Sequence, residues 1–143
     1  MIKTFVRAAA VMAVVSMPFS TASVGFAASD KKHEHKHDHE AVAKHGGTVA
    51  EVGSYDVEIV IADGKIVAYV YDEHGKDISK KASKGDAIFV VSGASKKVSL
   101  SLVDDRLEGA LGFATSPSDH LDLVLRLVVA GKTHTGKADV HPK

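Results

Sequence analysis

The sequence predicts an all-β domain behind a disordered histidine-rich tail. The expected domain is a small antiparallel β-sandwich of about seven strands, Ig-like or a related Greek-key arrangement. Three observations predict it. Apolar and polar residues alternate at period two in several short runs, most cleanly where Leu121, Leu123, Leu125, Leu127 and Val129 face off against Asp122 and Arg126. Glycine-containing turns at Asp63-Gly64, His74-Gly75, Ser92-Gly93 and Gly131-Lys132 punctuate those runs. No long helical period competes with them. A closed barrel of the same strands is the alternative architecture.

Taken in order, residues 1–27 read as an export signal. Lys3 and Arg7 give the positive start, the run from Ala8 to Phe19 is apolar except for Ser16 and Pro18, and small residues follow at Thr21, Ala22, Ser23, Gly25 and Ala27. Cleavage after Ala27, with Gly25 three positions earlier in the site, is the better choice; cleavage after Ala22 is the weaker one. The apolar core is shorter than the roughly 20 residues that span a bilayer, which disfavours a retained anchor. No cysteine is present to carry a lipid. Periplasmic localisation, with no membrane attachment after cleavage, is the expectation.

Lys3 and Arg7 leave with the leader, and no acidic residue does, so the balanced 18 basic and 18 acidic residues become a slight acidic excess. A nearly neutral chain has no electrostatic reason to seek nucleic acid or anionic lipid. With no cysteine, disulfide bracing and every thiolate metal site are excluded. The fold must stand on its apolar core, and any metal must be held by nitrogen and oxygen.

Residues 28–46 are almost all charged, histidine or small, with Ala41, Val42 and Ala43 as the only apolar cluster. They are expected to form the tail, and residues 47–143 the domain. Residues 55–62 alternate Tyr55, Val57, Ile59 and Ile61 with Asp56 and Glu58, as a half-buried strand does. Asp63-Gly64 suits a tight hairpin turn. Residues 65–71 return with apolar side chains on both faces, as expected of a central strand. Asp72 to Gly75 turns again, 76–79 offers a short edge segment, and Lys84-Gly85-Asp86 reads as a further turn. Strands follow at 87–91 and 96–103, joined by Ser92 to Ser95. Residues 104–118 are the least regular, with a short strand at 110–113 or one helical turn before Gly109 as the options. Residues 121–130 and 133–140 close the domain around Gly131-Lys132. Leucine propensity favours a helix at 121–130, but period two fits Leu121, Leu123, Leu125, Leu127 and Val129 and period 3.6 does not.

Several of these segments resemble a group of small exported bacterial proteins that carry a histidine-rich leader before a β-sandwich and are associated with heavy-metal or copper handling. The residues concerned are His45-Gly46-Gly47, the run Glu51-Val52-Gly53-Ser54-Tyr55-Asp56-Val57-Glu58-Ile59-Val60, Tyr69-Val70-Tyr71-Asp72 and Gly75-Lys76, with Ser92-Gly93, Lys96-Lys97-Val98 and Gly131-Lys132 further on. The resemblance spans most of residues 45–140. It implies periplasmic cation binding and makes His45 a member of the site. Its motifs are those of turns and strands, with no catalytic signature among them.

The chain has nine histidines, and four of them alternate with charged residues in His33-Glu34-His35-Lys36-His37-Asp38-His39. Neutral imidazole is the commonest protein ligand for divalent transition metals, and a flexible tract lets two or three rings wrap one ion. No residue is visible in the tract to orient the rings, so exchangeable binding is expected there. His45 stands at the junction of tail and domain, and His134 falls on the face of its strand shared by Gly136, Ala138 and Val140. The expected metal ligands are therefore His33, His35, His37, His39, His45 and His134, with a shared site between His45 and His134 as the sharpest form of the idea. His120, between Asp119 and Asp122, reads as a surface cap, His74 as a solvated turn residue, and His141 as lying beyond the last strand.

All three methionines fall in the leader, so the thioethers that hold Cu(I) are absent from the rest. Cu(II), Zn(II), Ni(II) and Co(II) fit the imidazoles better. No Gly-x-Ser-x-Gly, His-Glu-x-x-His or phosphate loop appears, and no enzymatic role is expected. The leading function is buffering or delivery of a divalent ion, with a component of a metal efflux or uptake system as partner. An Ig-like interaction module with incidental histidines is the alternative, and a metal-dependent hydrolase a distant third.

Overall fold

A computed structural model of the chain describes residues 42–143. The signal and the tract His33, His35, His37 and His39 lie outside the described residues. Eight strands follow in order: β1 Thr48–Val52, β2 Tyr55–Ala62, β3 Lys65–Tyr71, β4 Ala82–Val91, β5 Ala94–Val103, β6 Arg106–Ala110, β7 Leu121–Val129 and β8 Lys132–Val140. A single turn of 3-10 helix at Ser79–Lys81 links β3 to β4. Among the described residues no helix is long and apolar enough to cross a membrane.

All strands belong to one antiparallel sheet in the order β1-β2-β3-β6-β5-β4-β7-β8. β7 returns by a long connection to lie beside β4, so β4 to β7 form a Greek key. The last strand comes back to the first, and the sheet nearly closes into a barrel. The expected division into two packed sheets is replaced by this single curled one. Both architectures require the same in–out alternation, so period two could not separate them.

The alternation itself is realised. Val57, Ile59 and Ile61 of β2, Ile66, Ala68 and Val70 of β3, and Leu121 through Val129 of β7 at every second position fill the interior, around a fully buried Phe89. β3 is paired on both sides, by β2 and β6, as its two apolar faces require. Likewise β7 lies between β4 and β8, so the leucine-rich segment is a strand.

Two local expectations are corrected. Lys84-Gly85-Asp86 is no turn but part of β4, where an irregularity between Ala82 and Lys84 bends the strand. A Cβ on Gly85 would stand 2.6 Å from Leu127 Cδ2, so the glycine marks a crowded interior position. In the irregular stretch the strand runs Arg106–Ala110, earlier than 110–113, because Asp104 with φ 56° makes a tight hairpin that pairs Val103 with Arg106.

Closure depends on Gly136. A Cβ there would collide with the main-chain oxygen of Glu51 and come within 2.9 Å of Val52 Cα. With hydrogen in its place, β8 can lie directly against β1.

Candidate metal centre

The β7–β8 hairpin builds the one group of described residues that could hold a metal ion with three side chains: His120, Asp139 and His141. Its origin is the turn. Ala130 (φ 49°) and Gly131 (φ 78°) both take left-handed conformations, giving a two-residue loop that pairs Val129 with Lys132. The register then runs without slip to Leu121 opposite Val140. His120 and His141 are the next opposed positions. Since Leu121 and Val140 point inward, the residues beside them point out, and Asp139 shares the outer face with His141.

One ligand atom from each of the three residues lies within 4.8 Å of the others. His120 Nδ1 is 3.7 Å from Asp139 Oδ2, and the rings of His120 and His141 meet edge to face at 4.2 Å. A 2.0–2.1 Å bond to nitrogen or oxygen sets tetrahedral ligands roughly 3.3 Å apart, so side-chain rotation alone would gather the set. The group is exposed, with 71% of the His120 side chain and 56% of Asp139 accessible. Two imidazoles and one carboxylate with open positions suit an exchangeable divalent ion.

The sequence reading assigned His120 to a cap and placed His141 beyond the strand, and so missed this pair. The sequence suggests the turn one residue later, at Gly131-Lys132, which would set residue 120 opposite 143; the observed Ala130-Gly131 loop sets it opposite 141.

His45 is held by a different arrangement. Alternation places Glu58 on the outer, polar face of β2, yet its side chain is fully buried, because the arm Lys44–Gly47 lies over it. Its carboxylate accepts from the main-chain N–H of Lys44 (2.9 Å), His45 (2.6 Å) and Gly47 (2.9 Å). His45 Nδ1, at 3.0 Å, and the Tyr71 hydroxyl, at 3.2 Å, complete the shell. Burial alone would raise the Glu58 pKa, but these hydrogen bonds outweigh it and hold the group at about 2. Burial and the adjacent carboxylate push the Tyr71 phenol up, so it stays a donor.

The arm can lie this close because a Cβ on Gly47 would strike the carbonyl of Ile59, and Gly46 adopts φ 72°. The His45 ring stacks on Tyr69 at 3.6 Å and an interplanar angle of 6°. Lys143 Nζ donates to the His45 carbonyl at 2.7 Å, and Lys44 Nζ sits 4.5 Å from the Tyr71 ring centre.

His134 is elsewhere. It packs against Gly53, beyond the far end of β1, with its ring edge-on to Tyr55 at 4.9 Å. Its Nε2 is buried and has no hydrogen-bond partner among the described residues. His45 precedes β1 and His134 lies past it, so a five-residue strand of roughly 17 Å separates them. The structure does not bring these two together. His74 is at an exposed turn, 3.5 Å from Glu73. No family model, no curated protein and no solved structure matches this chain.

Proposed function

We propose that the protein binds a divalent transition-metal ion, Cu(II), Zn(II), Ni(II) or Co(II), through imidazoles, and buffers or delivers it in the periplasm after export. The observation that carries the proposal is the His120–Asp139–His141 group, a three-ligand set that the β7–β8 register assembles on the surface. The tract His33, His35, His37 and His39 adds capture capacity at the other end of the chain. The proposal is for a carrier rather than an enzyme, and its partner would be a component of a metal efflux or uptake system.

Calorimetric titration at pH 7.5 tests it. Cu(II) should bind tightest, following the Irving–Williams order, and every event should weaken toward pH 5, because protonated imidazole cannot ligate. No heat with any of the four ions would overturn the reading. His120→Ala and His141→Ala should each weaken the event read at the hairpin about tenfold or more. Combined, they should be non-additive, since either loss breaks the same site.

A second reading, an interaction module with incidental histidines, draws on the outer face of β4 and β7. There Ile88, Val90 and Val124 line a groove of about 630 Å³ beside Asp122, Lys137 and Asp139. It predicts that both histidine substitutions leave metal titrations unchanged.

A further inference from the structure

The two strands of the β7–β8 hairpin carry the same ligand types in reversed order. His120-Leu121-Asp122 enters β7, and Asp139-Val140-His141 leaves β8. An antiparallel pair has a local two-fold axis through the middle of each rung. The axis through Leu121–Val140 exchanges Asp122 with Asp139 and, one rung the other way, His120 with His141. Leu121 and Val140 turn their side chains inward, so the outer face over this rung is open. The contact of Asp139 with His120 runs diagonally across that opening, and its symmetry mate is a contact of Asp122 with His141.

The turn also sets how closely these side chains face one another. A two-residue loop closes on a hydrogen-bonded pair, here Val129–Lys132, and hydrogen-bonded and open rungs then alternate. Leu121–Val140 lies an even number of rungs on, so it is hydrogen-bonded and the rungs flanking it are of the open kind. In open rungs the Cα atoms are about 4.5 Å apart, the closest cross-strand spacing in a sheet. Asp122 and Asp139 therefore oppose each other where like charges repel most. The Asp122 carboxylate has no hydrogen bond or ion pair with a described residue. Lys137 stands one rung further, opposite Val124, and forms an ion pair with neither carboxylate.

We propose, on the metal-binding reading above, that Asp122 is the fourth ligand of the hairpin site, with the ion on the local two-fold axis between two imidazoles and two carboxylates. Asp122 lies outside the group gathered within 4.8 Å, but its exposed side chain can rotate over the rung as that of Asp139 does. Two carboxylates balance the charge of a divalent ion, and the ion removes the repulsion between them. Four protein ligands hold it more tightly than three while leaving it at the surface, where it can be passed on.

Zn(II) alone, buffered at known free concentration and titrated into the whole chain at pH 7.5, tests the assignment. Magnetic resonance follows the ring nitrogens of His120 and His141 and the carboxyl carbon of Asp122, so zinc held elsewhere on the chain does not enter. The Asp122 carbon should shift in step with both rings. Asp122→Asn should weaken the affinity read at the rings tenfold or more, yet raise the metal-free Tm by about 2 °C as the repulsion with Asp139 is lost. Asp122→His, which drops the charge but keeps a ligand, should recover most of that affinity, as a residue acting through charge alone would not allow. An Asp122 carbon unmoved when both rings are saturated overturns the proposal. So does Asp122→His binding no better than Asp122→Asn, or Asp122→Asn binding as well as wild type; the proposed function then stands on His120, Asp139 and His141. If neither ring responds to zinc, the hairpin site itself falls.

Discussion

Glu58→Ala is expected to cost the metal-free protein about 3 kcal/mol at pH 7, and for a domain of this size to lower Tm by on the order of 15 °C. The substitution strands the amides of Lys44, His45 and Gly47 together with His45 Nδ1 and the Tyr71 hydroxyl. The arm then peels away to reach water, and that release limits the loss. The pH dependence follows from the same carboxylate. Its pKa falls from 4.5 in the unfolded chain to about 2 in the folded one. A lowered folded pKa means stability that is fully present above about 4.5 and is lost as pH falls through about 2. The separation between the two values corresponds to about 3 kcal/mol, in line with the mutational cost. Denaturant melts of wild type and Glu58→Ala should therefore run parallel from pH 7 down to pH 5 and converge toward pH 2. A constant gap through that acid range would show that the carboxylate's charge is not what secures the arm.

Gly136→Val should be comparably damaging, about 3 kcal/mol, by a different route. Its Cβ would enter the space of the Glu51 carbonyl and Val52 Cα, which are main chain and cannot rotate aside. β1 and β8 must separate, and the loss should appear first as faster hydrogen exchange in β1, ahead of β4 and β5 at the centre of the sheet. Gly131→Ala, at φ 78° with open space around it, should strain the turn without opening this seam. Equal exchange in β1 and β5 of Gly136→Val would contradict the picture of a barrel closed at that glycine.

Much of the fold was legible because a strand with one buried face writes period two into its sequence, as β2 and β7 do. The hairpin turns were legible too: Asp63-Gly64 and Ser92-Gly93 both take the left-handed conformations that their sequences suggest. The barrel was not, since curling depends on strand pairing across long separations, β3 with β6 and β4 with β7, which leaves no local mark. Glu58 shows the same limit on a smaller scale. Its alternation correctly assigned it to the outer face, but nothing in that pattern announced that residues 44–47 would roof it over. For the candidate site, His45 was singled out and its oriented ring found only in three dimensions. The His120–His141 pair was hidden by one residue of register, since the loop falls at Ala130-Gly131 and not at Gly131-Lys132.

The near-closure of the barrel also decides how another polypeptide could be recognised. In an open sheet the first and last strands each offer a free row of amides and carbonyls, which invites an incoming chain to add as a further strand, in partnership or in aggregation. Here β8 lies against β1 at Gly136, so each of the two terminal strands crowds the approach to the other there. That crowding favours a partner that reads side chains on the outer wall, where His120, Asp139 and His141 stand. A glycine without a side chain thus brings the two terminal strands into contact and narrows the room for an added strand.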